Sequence, residues 1–197
     1  MRNTVFAIAL AAAGLGAAPA LSHADEANGA NGGFFVNGNV GRSELDKGAY
    51  NDNDTGYGAN VGYRWALNPN VALGVEGGYT YLGKFEPRSS FDGLGIGRAE
   101  VKGWTAGVNG HFNLTPQWYL SGRAGLFRAD TTGGYLDASG TAVNVDDSST
   151  KYYAGAGFGY DFTNNFSVGM NYDYYKANSA GLRLDPNLVS VSAEVRF

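Results

Sequence analysis

The sequence predicts an all-β chain: an eight-stranded antiparallel up-and-down transmembrane β-barrel. Three observations carry this. Short segments alternate apolar and polar residues with a period of two. Their connections alternate between tight turns and long polar stretches. The apolar face of the segments bears scarcely a charge and gathers aromatic residues at its two ends. The composition agrees, with 31 glycines and 14% aromatic residues among 197, and no cysteine to supply disulfides or thiolate ligands. A net charge of −4 disfavours nucleic acid as a partner.

Residues 1–24 form a segment of their own. "MRN" is basic, "TVFAIALAAAGLGAAPAL" is apolar and "SHA" ends in small residues, the pattern of a secretory signal peptide with cleavage after Ala24. "DEANGANG", 25–32, is a flexible polar leader, and 33–197 is the barrel domain. Beyond the signal no run approaches the roughly 20 apolar residues that a membrane helix requires. Eight segments follow: 34–42, 57–65, 71–82, 104–112, 118–128, 151–162, 166–175 and 188–197. Segments of nine to twelve residues suit tilted strands crossing a bilayer. "ALNPN", "NLTPQ" and "TNN" are the tight turns, whereas 43–56, 83–103, 129–150 and 176–187 are long polar loops. That asymmetry, with both termini on the short-turn side, is expected of a barrel with short periplasmic turns and long outer loops.

The last segment, "LVSVSAEVRF", shows the two faces. Leu188 apart, Val189, Val191, Ala193, Val195 and Phe197 point one way, and Ser190, Ser192, Glu194 and Arg196 the other. The apolar face collects Val36, Val61, Leu73, Val75, Val108, Leu126 and Met170 and is expected to meet lipid. Trp65, Phe112, Trp118, Phe162, Phe166 and Phe197 gird it near the short turns, and Tyr57, Tyr81, Trp104, Tyr152 and Tyr174 near the long loops. The opposite face holds Asn37, Asn39, Asn60, Arg64, Glu76, Asn109, His111, Arg123, Asp161, Asn171, Asp173, Glu194 and Arg196. It also carries the bulky Phe35, Tyr119, Phe127, Tyr153 and Tyr175. An eight-stranded barrel is only wide enough inside for side chains, so a plugged, hydrogen-bonded lumen is expected.

"GFFVNGNVG", the run "GYGANVGYRWALNPNVALGVEGGYTYLG" and the terminal "VSAEVRF" resemble the small eight-stranded outer-membrane barrels, the family of the OmpA transmembrane domain and of OmpX and Ail, over 33–197. The resemblance implies residence in the outer membrane, with its lipid and lipopolysaccharide as surroundings. It also implies an assembly signal, Val191, Val195 and Phe197, for the barrel-assembly machinery, and outer loops available to a host or surface ligand. No peptidoglycan-binding segment follows the barrel, so a cell-wall tether is not expected.

Candidate chemistry is sparse, and no metal or cofactor is expected. His23 leaves with the signal, and His111, near a short turn, is read as a hydrogen-bonded filler. Barrel acyltransferases and deacylases resemble this chain but need His with Ser at the outer leaflet, so an enzyme is not expected. "NDNDTG" lacks the glutamate of a calcium loop, Gly62 standing where it is required, and both it and "NVDDSS" are read as solvated loop acids. "GLGIG" has no strand-to-helix context, and "GAGFG", 155–159, places glycines inward where crowding is greatest. The lumen charges Arg64, Glu76, Arg123, Asp161, Asp173, Glu194 and Arg196 converge where water is scarce. Glu76, near mid-height, is expected to help neutralise Arg123 or another lumen cation. Mutual neutralisation is the plainer role of the set, and a salt-bridge gate the sharper one, suggested by the OmpA resemblance. The reading is a non-enzymatic envelope protein presenting surface loops, with two alternatives. One is a narrow channel for ions or small solutes. The other is a soluble exported ligand binder of the lipocalin kind, which would need the two faces exchanged.

Overall fold

The structure, a computed structural model, describes residues 32–47, 50–85, 99–136, 142–179 and 182–197. The expected signal peptide, most of the leader and the "GLGIG" stretch lie outside the described residues. No helix occurs among the described residues. Ten strands do: β1 (Gly33–Lys47), β2 (Tyr50–Asn68), β3 (Val71–Phe85), β4 (Ala99–Asn113), β5 (Trp118–Leu136), β6 (Ala142–Asp161), β7 (Phe166–Tyr175), β8 (Ala177–Ser179), β9 (Leu182–Leu184) and β10 (Asn187–Arg196). Eight of them close a barrel in the order β1-β10-β7-β6-β5-β4-β3-β2, each antiparallel to its neighbours. The expected up-and-down architecture is therefore the observed one.

Two details differ from expectation. β8 and β9 pair as a small hairpin of their own within the 176–187 stretch. Two of the other long connections, 43–56 and 129–150, are also mostly strand among the described residues. β1 and β2 stay paired out to Lys47 and Tyr50, and β5 and β6 out to Leu136 and Ala142. "NDNDTG" lies in β2 and "NVDDSS" in β6. Once two strands are in register, backbone pairing continues for as long as partners remain, whatever the side chains. Polarity alone therefore marks where the solvent changes, not where a strand ends.

The tight turns are closed by their own side chains, which fixes register at that end. Asn68 Oδ1 accepts the Asn70 N–H at 2.9 Å, Thr115 Oγ1 accepts from Trp118 N at 3.0 Å, and Thr163 Oγ1 accepts from Phe166 N at 3.0 Å. At the opposite end a bulge between Tyr81 and Gly83 tightens β3. Gly83 has φ 113°, a left-handed geometry that glycine tolerates and a Cβ at this point would oppose, and Asp54 seals the kink by accepting Lys84 N at 2.8 Å.

Alternation sorts the wall residues. Val36, Val61, Leu73, Val75, Val108, Leu126, Met170 and Val191 face outward and are exposed. The outward aromatics lean on one another across strands, as in Tyr57 on Tyr81 at 5.0 Å, Tyr79 on Trp104 at 5.1 Å and Trp118 on Phe158 at 5.0 Å. Each such pair adds about 0.5–1.5 kcal/mol beyond its area. Beyond the girdle of Tyr57, Tyr81 and Trp104 the outward positions turn polar: Arg42, Glu44, Thr55, Lys84, Lys102 and Arg128. In the same place the inward positions turn apolar. Leu45, Leu82, Phe85, Val101, Phe127, Ala129, Tyr153, Tyr175 and Leu188 form one buried cluster inside the long-hairpin end. Leu188, which broke the alternation of the last segment, belongs to this cluster and is fully buried.

Candidate functional site

The lumen gathers every charged residue that the sequence placed there, all but Glu76 in ion pairs set by strand register. β2 presents Arg64 inward and β10 presents Glu194. The guanidinium is bidentate on the carboxylate, Nη1 to Oε1 at 2.5 Å and Nη2 to Oε2 at 2.9 Å. Its Nε donates to Asn109 Oδ1 at 2.5 Å, and its Cζ stands 4.1 Å over the Phe35 ring. Each donor edge and one π-face of Arg64 is thus occupied, and the residue is 6% exposed.

Nearer the short turns, Arg196 Nη2 pairs with Asp161 Oδ1, and its Nε lies 3.3 Å from Glu194 Oε1. Asp161 Oδ2 also faces His111 Nε2 at 3.2 Å, while the imidazole stacks on Tyr119 at 4.1 Å. Glu194 therefore couples Arg64 to Arg196, and Asp161 couples Arg196 to His111. His111 serves as a hydrogen-bonded and stacked filler in this arrangement.

The second group is separate. Arg123 on β5 is bidentate on Asp173 of β7, 2.6 and 2.5 Å, and Asp173 has no exposed surface. The direct partner of Arg123 is thus Asp173, and Glu76 stands near the pair as a further carboxyl along the same cavity wall. Glu76 accepts a hydrogen bond from the Tyr153 hydroxyl at 2.7 Å. Register is the reason: Gly155 stands between β5 and β7 at the level of the pair, opposite both Arg123 and Asp173. A Cβ on Gly155 would overlap the Asp173 carboxylate. Gly157 and Gly159 likewise clear space for Asn171 and Tyr119, the crowding that "GAGFG" foretold. Among the described residues no group of His, Asp and Glu is arranged to hold a metal ion.

The carboxyl-terminal strand closes on the first. Phe197 N donates to Phe34 O at 2.9 Å, while its ring points outward, 62% exposed. Asn165, in the turn before β7, brackets Arg196 by accepting its N–H at 2.8 Å and donating to its carbonyl at 2.9 Å. Val191 and Val195 share the outward face with Phe197.

Comparison with known proteins follows the same lines. A family described as the outer membrane protein beta-barrel domain matches residues 8–197. The chain belongs to that family. It is an outer-membrane protein. Among solved structures it is similar to Ail, the attachment invasion locus protein of Yersinia pestis, at 18% identity and TM-score 0.58, covering 84% of this chain and 99% of Ail. The same protein in complex with the heparin analogue sucrose octasulfate matches at 18% identity and TM-score 0.57, over 84% and 99% of the two chains. Neisserial surface protein A matches at 15% identity and TM-score 0.54, over 83% and 97%. These likenesses concern the fold. No curated protein matches the sequence.

In the family's orientation the short turns are periplasmic and the long hairpins extracellular. Two features of the lumen were not legible beforehand: the pairing partners, which depend on barrel shear, and the joining of Phe127, Tyr153 and Tyr175, expected inward, with Leu45, Leu82, Phe85, Val101 and Leu188 into one extracellular apolar cluster. The cluster did leave a signal. In β1 the outward residues pass from Val40 to Arg42 and Glu44 while the inward ones pass from Asn39 to Ser43 and Leu45. Two faces that exchange polarity at one height, with parity unbroken, mark a strand leaving the bilayer.

Proposed function

We propose that this protein is a non-enzymatic component of the outer membrane that helps keep the envelope intact and holds rigid hairpins out for surface contact. The observation that carries the reading is the filled lumen, ion-paired through its membrane-level part and apolar at the extracellular end. A filled barrel favours a structural and presenting role over transport. The only histidine expected in the mature chain is engaged with Asp161 and Tyr119, which supports the non-enzymatic reading.

The paired extensions of β1–β2 and β5–β6 supply the presenting surface. Their charge suggests the partner. Segments 43–56 and 129–150 contain Glu44, Asp46, Asp52, Asp54, Asp130, Asp137, Asp146 and Asp147 against the single cation Lys47. Ail was crystallised with a polyanion, whereas these two hairpins favour a cationic partner surface. The test is adhesion of cells carrying the protein to polylysine-coated and heparin-coated surfaces, with and without residues 129–150. Loss of binding to the cationic surface on shortening, with the barrel still heat-modifiable on a gel, supports the reading. Porin-sized conductance of the parent in planar bilayers would overturn it.

Phe197, with Val191 and Val195, is proposed as the signal for the assembly machinery, a role that its outward, exposed ring favours. Deleting Phe197 is expected to reduce assembled barrel in cells severalfold while leaving refolding into detergent nearly unchanged. Equal losses in both assays would assign the residue to packing at the seam.

A further inference from the structure

A cavity of about 40 Å³ lies inside the lumen, walled by Arg64, Glu76, Asn109, Arg123, Asp173 and Glu194. At roughly 10–15 Å³ for each water centre, it has room for about three molecules. The walls supply the partners such waters need. Asn109 is 5% exposed and gives its Oδ1 to Arg64, but its Nδ2 meets no acceptor among the described residues. Glu76 is 8% exposed, accepts the Tyr153 hydroxyl on Oε1 and lines the same cavity. Farther toward the extracellular end Asn39 Nδ2 and Oδ1, Asn60 Nδ2 and Ser190 Oγ are also buried and without protein partners. Buried polar atoms in folded proteins find a partner, and where protein supplies none, ordered water does.

Along the inward faces of β1 and β10 this polar run gives way to apolar side chains, although Ser149 Oγ and Asn187 Oδ1 lie farther out, also buried and without a protein partner. Ser43 and Ser190 flank the last polar level on β1 and β10, and the next inward residues on the same strands, Leu45 and Leu188, are fully buried in the apolar cluster. A constriction lined by such side chains gains little from holding water and opposes ions by dewetting.

We propose that the lumen is a hydrated chamber: resident water occupies a binding site formed by Glu76, Asn109 and the neighbouring ion pairs, and the extracellular apolar cluster is the seal. The ion pairs are then the contents of the chamber and not its gate. This deepens the proposed non-conducting role and rests on it.

The test of the water site uses the parent protein in lipid nanodiscs. Water-to-side-chain magnetisation transfer is expected at the Asn109 amide and to be lost from that site in Asn109→Leu. A dry Asn109 in the parent overturns the chamber. The seal is tested by conductance in planar bilayers. The double variant L45S/L188S is expected to raise small-ion conductance at least tenfold over the parent, while Glu76→Gln leaves it within twofold. The opposite pattern, with Glu76→Gln conducting and L45S/L188S silent in a heat-modifiable barrel, would make the ion pairs the gate. Should L45S/L188S fail to assemble, Leu188→Ser alone is expected to show the smaller increase, and parent-level conductance from that assembled single variant overturns the seal. Large conductance of the parent itself would overturn the proposed function, a result distinct from either.

Discussion

The membrane-level lumen and its extracellular continuation are built on the same strands and obey opposite rules. Below the upper girdle the inward residues are Arg64, Glu194, Arg123 and Asp173, and the outward ones are Val61, Val75 and Val191. Above it Leu45, Phe85 and Val101 turn inward while Arg42, Lys84 and Lys102 turn outward. β1 runs through the change with its pairing and parity unbroken, whereas β3 stays paired but takes the bulge at Tyr81 and Gly83 that turns Phe85 inward and Lys84 outward. What changes is the medium outside: oil against the lower wall and water against the upper. A side chain belongs inside when the outer medium rejects it, so each part buries the residues its own surroundings refuse. The upper part also shows why acids cluster harmlessly there. Glu100, half-buried, lies between Lys84 at 3.4 Å and Lys102 at 2.8 Å, and the Lys102 hydrogen bond holds its carboxyl below the ordinary range.

Four substitutions test this division, taken from the largest effect down. Arg123→Ala leaves the fully buried Asp173 without its cation and is expected to cost about 3–5 kcal/mol in denaturant unfolding from lipid vesicles. A cost below 1 kcal/mol would mean that Asp173 does not depend on Arg123 for its place in the lower lumen. Leu45→Ala removes a fully buried side chain from the upper cluster, with an expected loss of about 2–5 kcal/mol. No change in the unfolding midpoint would show that the cluster is loosely packed. Val75→Arg sets a charge against acyl chains and should cost about 2–4 kcal/mol. Thr55→Arg makes the same kind of change on an outward position beyond Tyr57 and should stay within about 0.5 kcal/mol. If the last two cost the same, the bilayer boundary does not lie at the tyrosine girdle.

How much of this the sequence disclosed depends on the range of the interaction. Parity is local, so the outward placement of Val75 and the inward placement of Glu76 were legible from neighbours alone. The turns at Asn68, Thr115 and Thr163 announced themselves through residues that bond within three positions. Pairing across the lumen is a different matter. Arg123 finds Asp173 because β5, β6 and β7 stand in one particular stagger, fixed by barrel closure and by the room left at Gly155. Neither residue carries that information by itself. The strand limits failed for a related reason: "NDNDTG" reads as loop by composition, yet it extends a hairpin whose register was set lower down.

The seam between β1 and β10 has a temporal meaning. Every other barrel contact except β7–β10 joins consecutive strands, which can zip outward from a nearby turn. The seam joins residues 35 and 196, almost the whole domain apart, and the entropy of bringing such distant segments together is recovered only when the last strand arrives. Until then β1 presents an unpaired backbone edge, with every carbonyl and amide on that side open to a stray strand. Gly33 sits where a side chain would strike the Phe197 carbonyl, so the final latch is kept clear of obstruction. The vulnerable period of this molecule is the interval before closure, and its length is governed by how quickly ten residues at the very end of the chain reach the first strand.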